Sequence, residues 1–235
     1  MRQQRIGNDY EIALKPVAAF IKKGVVMAQQ RQYKVGTQLD KRVHQSSVIM
    51  LPPPQKDGGM PLLTALRLRR STRDYIDRPI PLQALSDLLW AAFGINRSNG
   101  DRTAPYWRHV MVMDIYLVME DGVWLYEPKM HQLQRCMLGD FRAATGLQEF
   151  VGIAALNLIY VAHGERMDVP PQERRLYAAA DAGFIGQNVY LYCASEGLAT
   201  VFRGALDYQR LGEILNLPDQ AFVVFAQTVG CAKPH

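Results

Sequence analysis

The stretch from Leu176 to Glu196 constrains the fold of this chain more than any other. It runs without proline and stops at Gly197, a residue suited to the left-handed turn that closes a helix. Its first half is built of small residues: Ala178, Ala179, Ala180, Ala182, Gly183 and Gly186. Each glycine inside a helix costs about 1 kcal/mol relative to alanine. That cost is offset where another backbone approaches closely. The helix therefore belongs either at the tightly packed centre of a domain or at a seam between two copies of the chain.

The elements around it can be read from their punctuation. Pro52-Pro53-Pro54 and Asp57-Gly58-Gly59 form a linker that no helix crosses, so the compact domain is expected to begin near Met60. Pro61 opens a helix carrying Leu62, Leu63 and Leu66, expected to end near Arg70. Pro81 opens a second, with Leu82, Leu85, Leu88, Leu89, Ala92 and Phe93 on its apolar face and Gly94 at its end. Val110–Met119 reads as a strand, followed by Asp121-Gly122 and Val123–Tyr126, the pattern of a hairpin with a type I′ turn. Ala154–Ala162 reads as a buried strand and Leu198–Val201 as a short one. Asp207 caps a helix running to Leu215, and Ala221–Val229 is a terminal strand. Helices and strands alternate, while the hairpin demands antiparallel pairing. The class is α+β with a mixed sheet.

Composition narrows the function classes. The 235 residues, 49% of them hydrophobic, are enough for a sizeable core. The net charge of +5 is unevenly spread. Residues 1–45 hold nine Lys or Arg against three acidic residues, whereas the rest of the chain holds 18 against 19. The body lacks the basic face that nucleic-acid binding requires. Residues 1–48 read as a basic extension, with a short amphipathic helix at Ile12–Met27, ahead of a domain over 49–235. Lys22-Lys23 interrupts the apolar stretch Val17–Met27, so neither a secretory signal nor a membrane span is expected. Cys136, Cys193 and Cys231 are odd in number and scattered, which argues against a disulfide framework or a zinc site and for the cytoplasm. His44, His131 and His163 show no metal-ligand spacing.

One charged segment stands apart. Five arginines fall between Arg67 and Arg78, with Ser71 in the densest part and Asp74 and Asp77 among them. Arginine keeps its charge in proteins, and its planar fork suits phosphate oxygens. Read alone, the run is a solvated helix end or a surface ion-pair network with the two aspartates. It follows the C-terminal end of the first helix, where the dipole repels anions. Any anion there must be held by side chains.

Three collinear blocks together resemble the nitroreductase family of flavin enzymes: Arg69-Arg70-Ser71-Thr72-Arg73-Asp74-Tyr75; Leu88–Arg97 followed by Arg102-Thr103-Ala104-Pro105; and Ala180–Leu191 with Glu196–Val201 behind it. The resemblance covers about residues 49–233 and is nearest to the SagB-type, azoline-oxidase-like dehydrogenases. It implies a mixed, mainly antiparallel sheet flanked by helices around a long central helix, in an intertwined homodimer. Two FMN molecules would lie at the subunit interface, each drawing residues from both chains. By position, Arg69 and Ser71 would meet the FMN phosphate and ribityl chain, with Arg70 adjacent. Arg73 would reach the ribityl chain or the pyrimidine end of the ring. Val201, Phe202, Arg203 and Gly204 would run past the isoalloxazine, and Lys233 would be a second phosphate cation. The flavin carries the chemistry in this family, so no catalytic side chain is assigned.

The chain departs from the family pattern after Ala104-Pro105. Tyr106 and Trp107 replace a small Ser-Ala pair, and His109 stands where an Asn near the flavin is usual. Pro105, Tyr106, Trp107 and His109 are thus candidate flavin contacts. The two aromatics leave open a stacked cover, a narrowed acceptor pocket or a blocked one. The implied activity is hydride transfer from NAD(P)H through FMN to a small organic acceptor, nitroaromatic or quinone, by a ping-pong mechanism. The alternatives are FMN-dependent dehydrogenation of azoline rings in modified peptides, or FMN binding without catalysis.

Overall fold

The computed structural model describes residues 48–233. The basic extension and its helix at Ile12–Met27 lie outside the described residues, apart from Val48, which opens the first strand. Eight strands follow: β1 (Val48–Met50), β2 (Tyr75–Ile76), β3 (Met113–Met119), β4 (Gly122–Glu127), β5 (Gln132–Leu138), β6 (Leu156–His163), β7 (Leu198–Arg203) and β8 (Ala221–Ala232). They form one sheet in the order β1-β5-β4-β3-β6-β8-β2, with β7 also on β8. Every pairing among the described strands is antiparallel.

The sheet is covered on both faces, and β6 shows why. All eight of its residues are buried, and their side chains alternate between two apolar layers. Leu158 and Tyr160 join Leu88 and Leu89 of α2 (Leu82–Phe93) and Ile185 and Val189 of α3 (Pro171–Glu196). Ile159 and Val161 turn the other way, towards Leu211 of α4 (Tyr208–Ile214). Side chains of this size stabilise the fold by roughly 1.5–3 kcal/mol each when fully buried.

Local signals set the helix ends. α2 starts after Pro81 and stops at Gly94. α3 carries Pro171 as its first residue, and Gly197 closes it at φ 69°. The Asp207 carboxylate accepts from the Arg210 amide at 3.1 Å, capping α4.

The two helix glycines of α3 have different surroundings. A Cβ on Gly186 would lie 2.5 Å from the Phe202 ring, so close packing requires glycine there. Gly183 has open space, among exposed Ala180, Phe184 and Gln187. One helix thus has a core side and a bare side.

Three expectations need correction. First, α1 (Leu62–Leu68) ends two residues before Arg70, because Arg69 is already extended at ψ 124°. Second, Met119 pairs with Gly122, so the hairpin loop is Glu120-Asp121. Neither loop residue has positive φ, so the turn is not type I′. Gly122 belongs to β4, where a Cβ would meet the Met137 carbonyl oxygen. Third, β5 was not expected. It is a half-exposed strand held by edge pairing with β4 and β1. Among the described residues, no helix is long and apolar enough to cross a membrane, and no His/Cys/Asp/Glu group is placed to hold a metal.

Candidate functional site

Residues 69–74 form an irregular segment that packs on α3 and β7. The Thr72 amide donates to the Thr200 carbonyl at 2.9 Å. The Tyr75 hydroxyl donates to the Thr72 carbonyl at 2.8 Å, fixing the turn into β2. Ser71 Oγ and the Tyr190 hydroxyl lie 2.7 Å apart, and the Phe202 amide donates to that same hydroxyl at 2.9 Å. Tyr190 of α3 thereby ties the serine to the strand predicted to pass the flavin. The Arg69 guanidinium lies 5.0 Å from the centre of the Tyr190 ring, a cation–π contact.

Strand pairing brings Lys233 to the same place. Tyr75 and Ile76 of β2 pair with Ala232 and Cys231 of β8, and the Lys233 amide donates to the Asp74 carbonyl at 3.2 Å. Arg73 is exposed and has no hydrogen bond or ion pair among the described residues. The expected surface network with Asp74 and Asp77 therefore does not include Arg73. Arg73, Tyr75, Gln148, Phe150, Ile153 and Lys233 line a cleft of about 620 Å³. A neighbouring cavity of about 320 Å³ shares Lys233 and adds Arg70, Thr72 and Tyr190.

One wall residue of the cleft carries an unpartnered polar atom. The side-chain amide oxygen of Gln148 is buried and has no hydrogen-bond donor. Such an atom is costly unless a ligand supplies the donor. Sequence reasoning missed Gln148, because a lone glutamine in a loop carries no local signal.

The β7 residues take different positions. Val201 is buried and the Phe202 ring stacks on Tyr160, with centroids 5.8 Å apart. Gly204 is exposed, and its carbonyl accepts from the Tyr208 hydroxyl at 3.0 Å. The Arg203 side chain turns into the protein, where burial lowers its guanidinium to about 10. Cys193 is also buried, which pushes its thiol up, and it offers no nucleophile.

Pro105, Tyr106, Trp107 and His109 lie elsewhere along α3. The Trp107 amide donates to the Asp181 carboxylate at 3.0 Å, and the Trp107 ring is only 8% exposed, packed on Tyr177. Asp181 precedes Tyr190 by nine residues, about 13 Å of helix rise. The Tyr106 hydroxyl donates to Asp101 at 2.8 Å, and His109 Nδ1 lies 3.4 Å from the same carboxylate oxygen. Pro105 and His109 are exposed. Arg108 and His109 hold left-handed backbone, at φ 45° and 58°, a conformation costly for residues with side chains. One chain therefore gathers Arg69, Arg70, Ser71, Arg73 and Lys233, while the aromatic turn stays apart from them.

The comparisons bear on the fold and the family. The family model "Nitroreductase family" matches residues 66–231. A crystal structure from Ralstonia eutropha JMP134, of a protein classed as a nitroreductase, is 45% identical. It covers 80% of this chain and 90% of its own, with a TM-score of 0.76. A Methanocaldococcus jannaschii protein, also classed as a nitroreductase, is 33% identical over 162 residues, 64% of this chain and 82% of its own. The NADPH:FMN oxidoreductase of Vibrio harveyi, solved in complex with NAD+, shares the fold at a TM-score of 0.57 and 22% identity, over 74% of this chain and 72% of its own. The chain belongs to the nitroreductase family and is an oxidoreductase.

Proposed function

We propose that this protein is an FMN-dependent oxidoreductase that takes hydride from NAD(P)H and passes it to a small organic acceptor, such as a nitroaromatic or quinone, by a ping-pong mechanism. The observation that carries this reading is the cleft lined by the cations Arg73 and Lys233 together with Gln148, whose side-chain oxygen has no donor within the chain. An isoalloxazine has complementary chemistry, because its pyrimidine end offers an N–H donor beside carbonyl acceptors. FMN, when bound, supplies the hydride chemistry.

The chain's own groups bind and orient. Arg69, Ser71 and Lys233, with Arg70 beside them, would hold the phosphate and ribityl oxygens by charge and hydrogen bonds. Arg73 would stand at the pyrimidine end. Tyr190 would keep Ser71 and the Phe202 amide in register, since it bonds to both. Exposed apolar residues support a homodimer: Leu62, Leu63 and Leu66 on α1, and Leu176 and Phe184 beside the open Gly183 on α3. In such a dimer, as the family resemblance implies, each site would draw on both chains. The narrower placement among SagB-type dehydrogenases rests on the three motif blocks, and the cytoplasm on the three free thiols.

Purified protein should be yellow, or become so with FMN, and should bleach under anaerobic NADPH or NADH. Colourless protein that refuses FMN on reconstitution would sink the reading.

A further inference from the structure

Arg203 is 4% exposed, and its guanidinium is held entirely by neutral groups. Nε donates to Thr228 Oγ1 at 2.8 Å, one terminal nitrogen to the Thr145 carbonyl at 3.1 Å and the other to Asn157 Oδ1 at 3.1 Å. No carboxylate among the described residues pairs with it. The surroundings are themselves braced. Thr228 Oγ1 donates to Asn157 Oδ1 at 2.7 Å, and the Asn157 amide donates to the Val151 carbonyl at 2.8 Å. A fixed buried cation without a counter-charge is an expensive arrangement for stability alone.

Its position gives that charge a use. A Cβ on Gly146 would strike the Arg203 guanidinium, so the side chain lies directly against the backbone of residue 146. The next two residues, Leu147 and Gln148, wall the cleft that holds Arg73. The Leu147 amide also donates to the Ala205 carbonyl at 3.4 Å, joining this wall to the chain just beyond Arg203. Tyr75, another wall residue, is close enough for its phenol and Arg203 to perturb each other. The cation thus stands just behind the cleft, shielded from water. At equal distance, a charge acting through protein with an effective dielectric near 20 is felt about four times as strongly as one acting through water.

We propose that Arg203 is an electrostatic positioning residue: a permanent buried cation that makes the cleft favour the reduced, negatively charged state of its flavin over the neutral oxidised state. It touches no reacting atom, and it acts alongside Arg73 at the cleft itself. This inference rests on the FMN reading above.

The test compares affinities for oxidised FMN and for FMN reduced with dithionite, each titrated anaerobically into the full chain, together with the reduction potential of the bound flavin. Arg203→Gln removes the charge and should shift the ratio of the two dissociation constants about tenfold towards oxidised FMN, lowering the potential accordingly. Asn157→Asp keeps Arg203 but sets a carboxylate against it, and should shift the ratio the same way. Its lost bond to Val151 lowers the melting temperature without changing that expectation. Asn157→Asp also decides the matter if Arg203→Gln fails to fold. An unchanged ratio in a folded neutralised variant that still binds oxidised FMN overturns the inference and leaves the FMN reading standing. Parent protein that binds neither form overturns both.

Discussion

The arginine segment at residues 69–73 and the aromatic turn at residues 105–109 both lean on α3, yet they are left in opposite states. In the aromatic turn three groups pair within the chain: Trp107 with Asp181, and Tyr106 and His109 with Asp101. In the arginine segment, Arg69, Ser71 and Thr72 are held by Tyr190 and Thr200, and the contrast rests on Arg73 and the cleft beside it. Arg73 has no partner among the described residues, and the nearby Gln148 oxygen lacks a donor. Buried or clustered polar groups that the fold leaves unsatisfied are where a ligand has something to add. A turn already satisfied is held in place by the protein itself, whatever it later presents to a second subunit. The difference separates a region that needs a ligand from one that shapes its surroundings.

That contrast can be broken experimentally. Trp107→Ala should have the largest effect, about 3–5 kcal/mol off the stability, because it empties a core position. A urea midpoint shift measures it, and a loss under about 1 kcal/mol would mean that the ring is not core. Arg73→Ala should do the reverse. Folding should change by less than about 0.5 kcal/mol, since the side chain is exposed and unpaired. FMN affinity should fall roughly tenfold to a hundredfold, the worth of a charged hydrogen bond. Equal affinity in the variant would remove Arg73 from the site.

Asp181 tests the brace under the aromatic turn. Burial raises its carboxyl above the usual aspartate value, partly opposed by the Trp107 amide. A carboxyl raised in the fold binds its proton more tightly there than in the unfolded chain. Its contribution is therefore fully present below the ordinary aspartate value and is lost as pH rises through the raised one. Asp181→Asn should flatten that part of the stability–pH curve, and an unchanged slope would exclude Asp181 as its source. The smallest effect is expected of His109→Ala, within about 0.5 kcal/mol in stability, because the ring is exposed and its contact with Asp101 is long. A larger loss would mean that the turn depends on the imidazole.

The elements were legible where the signal was local. Pro81 and Gly94 bracket α2, Asp207 caps α4, and the apolar run at Ala154–Ala162 contains most of β6. The arginine–serine segment stood out as an anion candidate, and the pairing of β2 with β8 places Lys233 beside it. Other features left no local trace. β5 is a half-exposed strand of mixed polar and apolar residues, flanked by β4 and β1. Gln148 is inconspicuous in sequence, and its importance lies in an oxygen that three-dimensional packing leaves without a donor. The hairpin turn misled because Gly122 is needed for close approach to Met137 rather than for a left-handed turn.

By itself, the sequence determined the helices, the buried strands, the family blocks and a cluster of cations. Those depend on neighbours a few residues apart, where prolines, glycines and apolar periodicity act directly. Only the tertiary structure decided what each cation does. Arg73 and Arg203 have the same charge and the same fork, yet one is exposed at the cleft and the other is locked behind it. That difference is set by Thr145, Asn157 and Thr228, which are distant in sequence and reach Arg203 only when the sheet assembles. Electrostatic strength follows burial, and burial belongs to the whole fold.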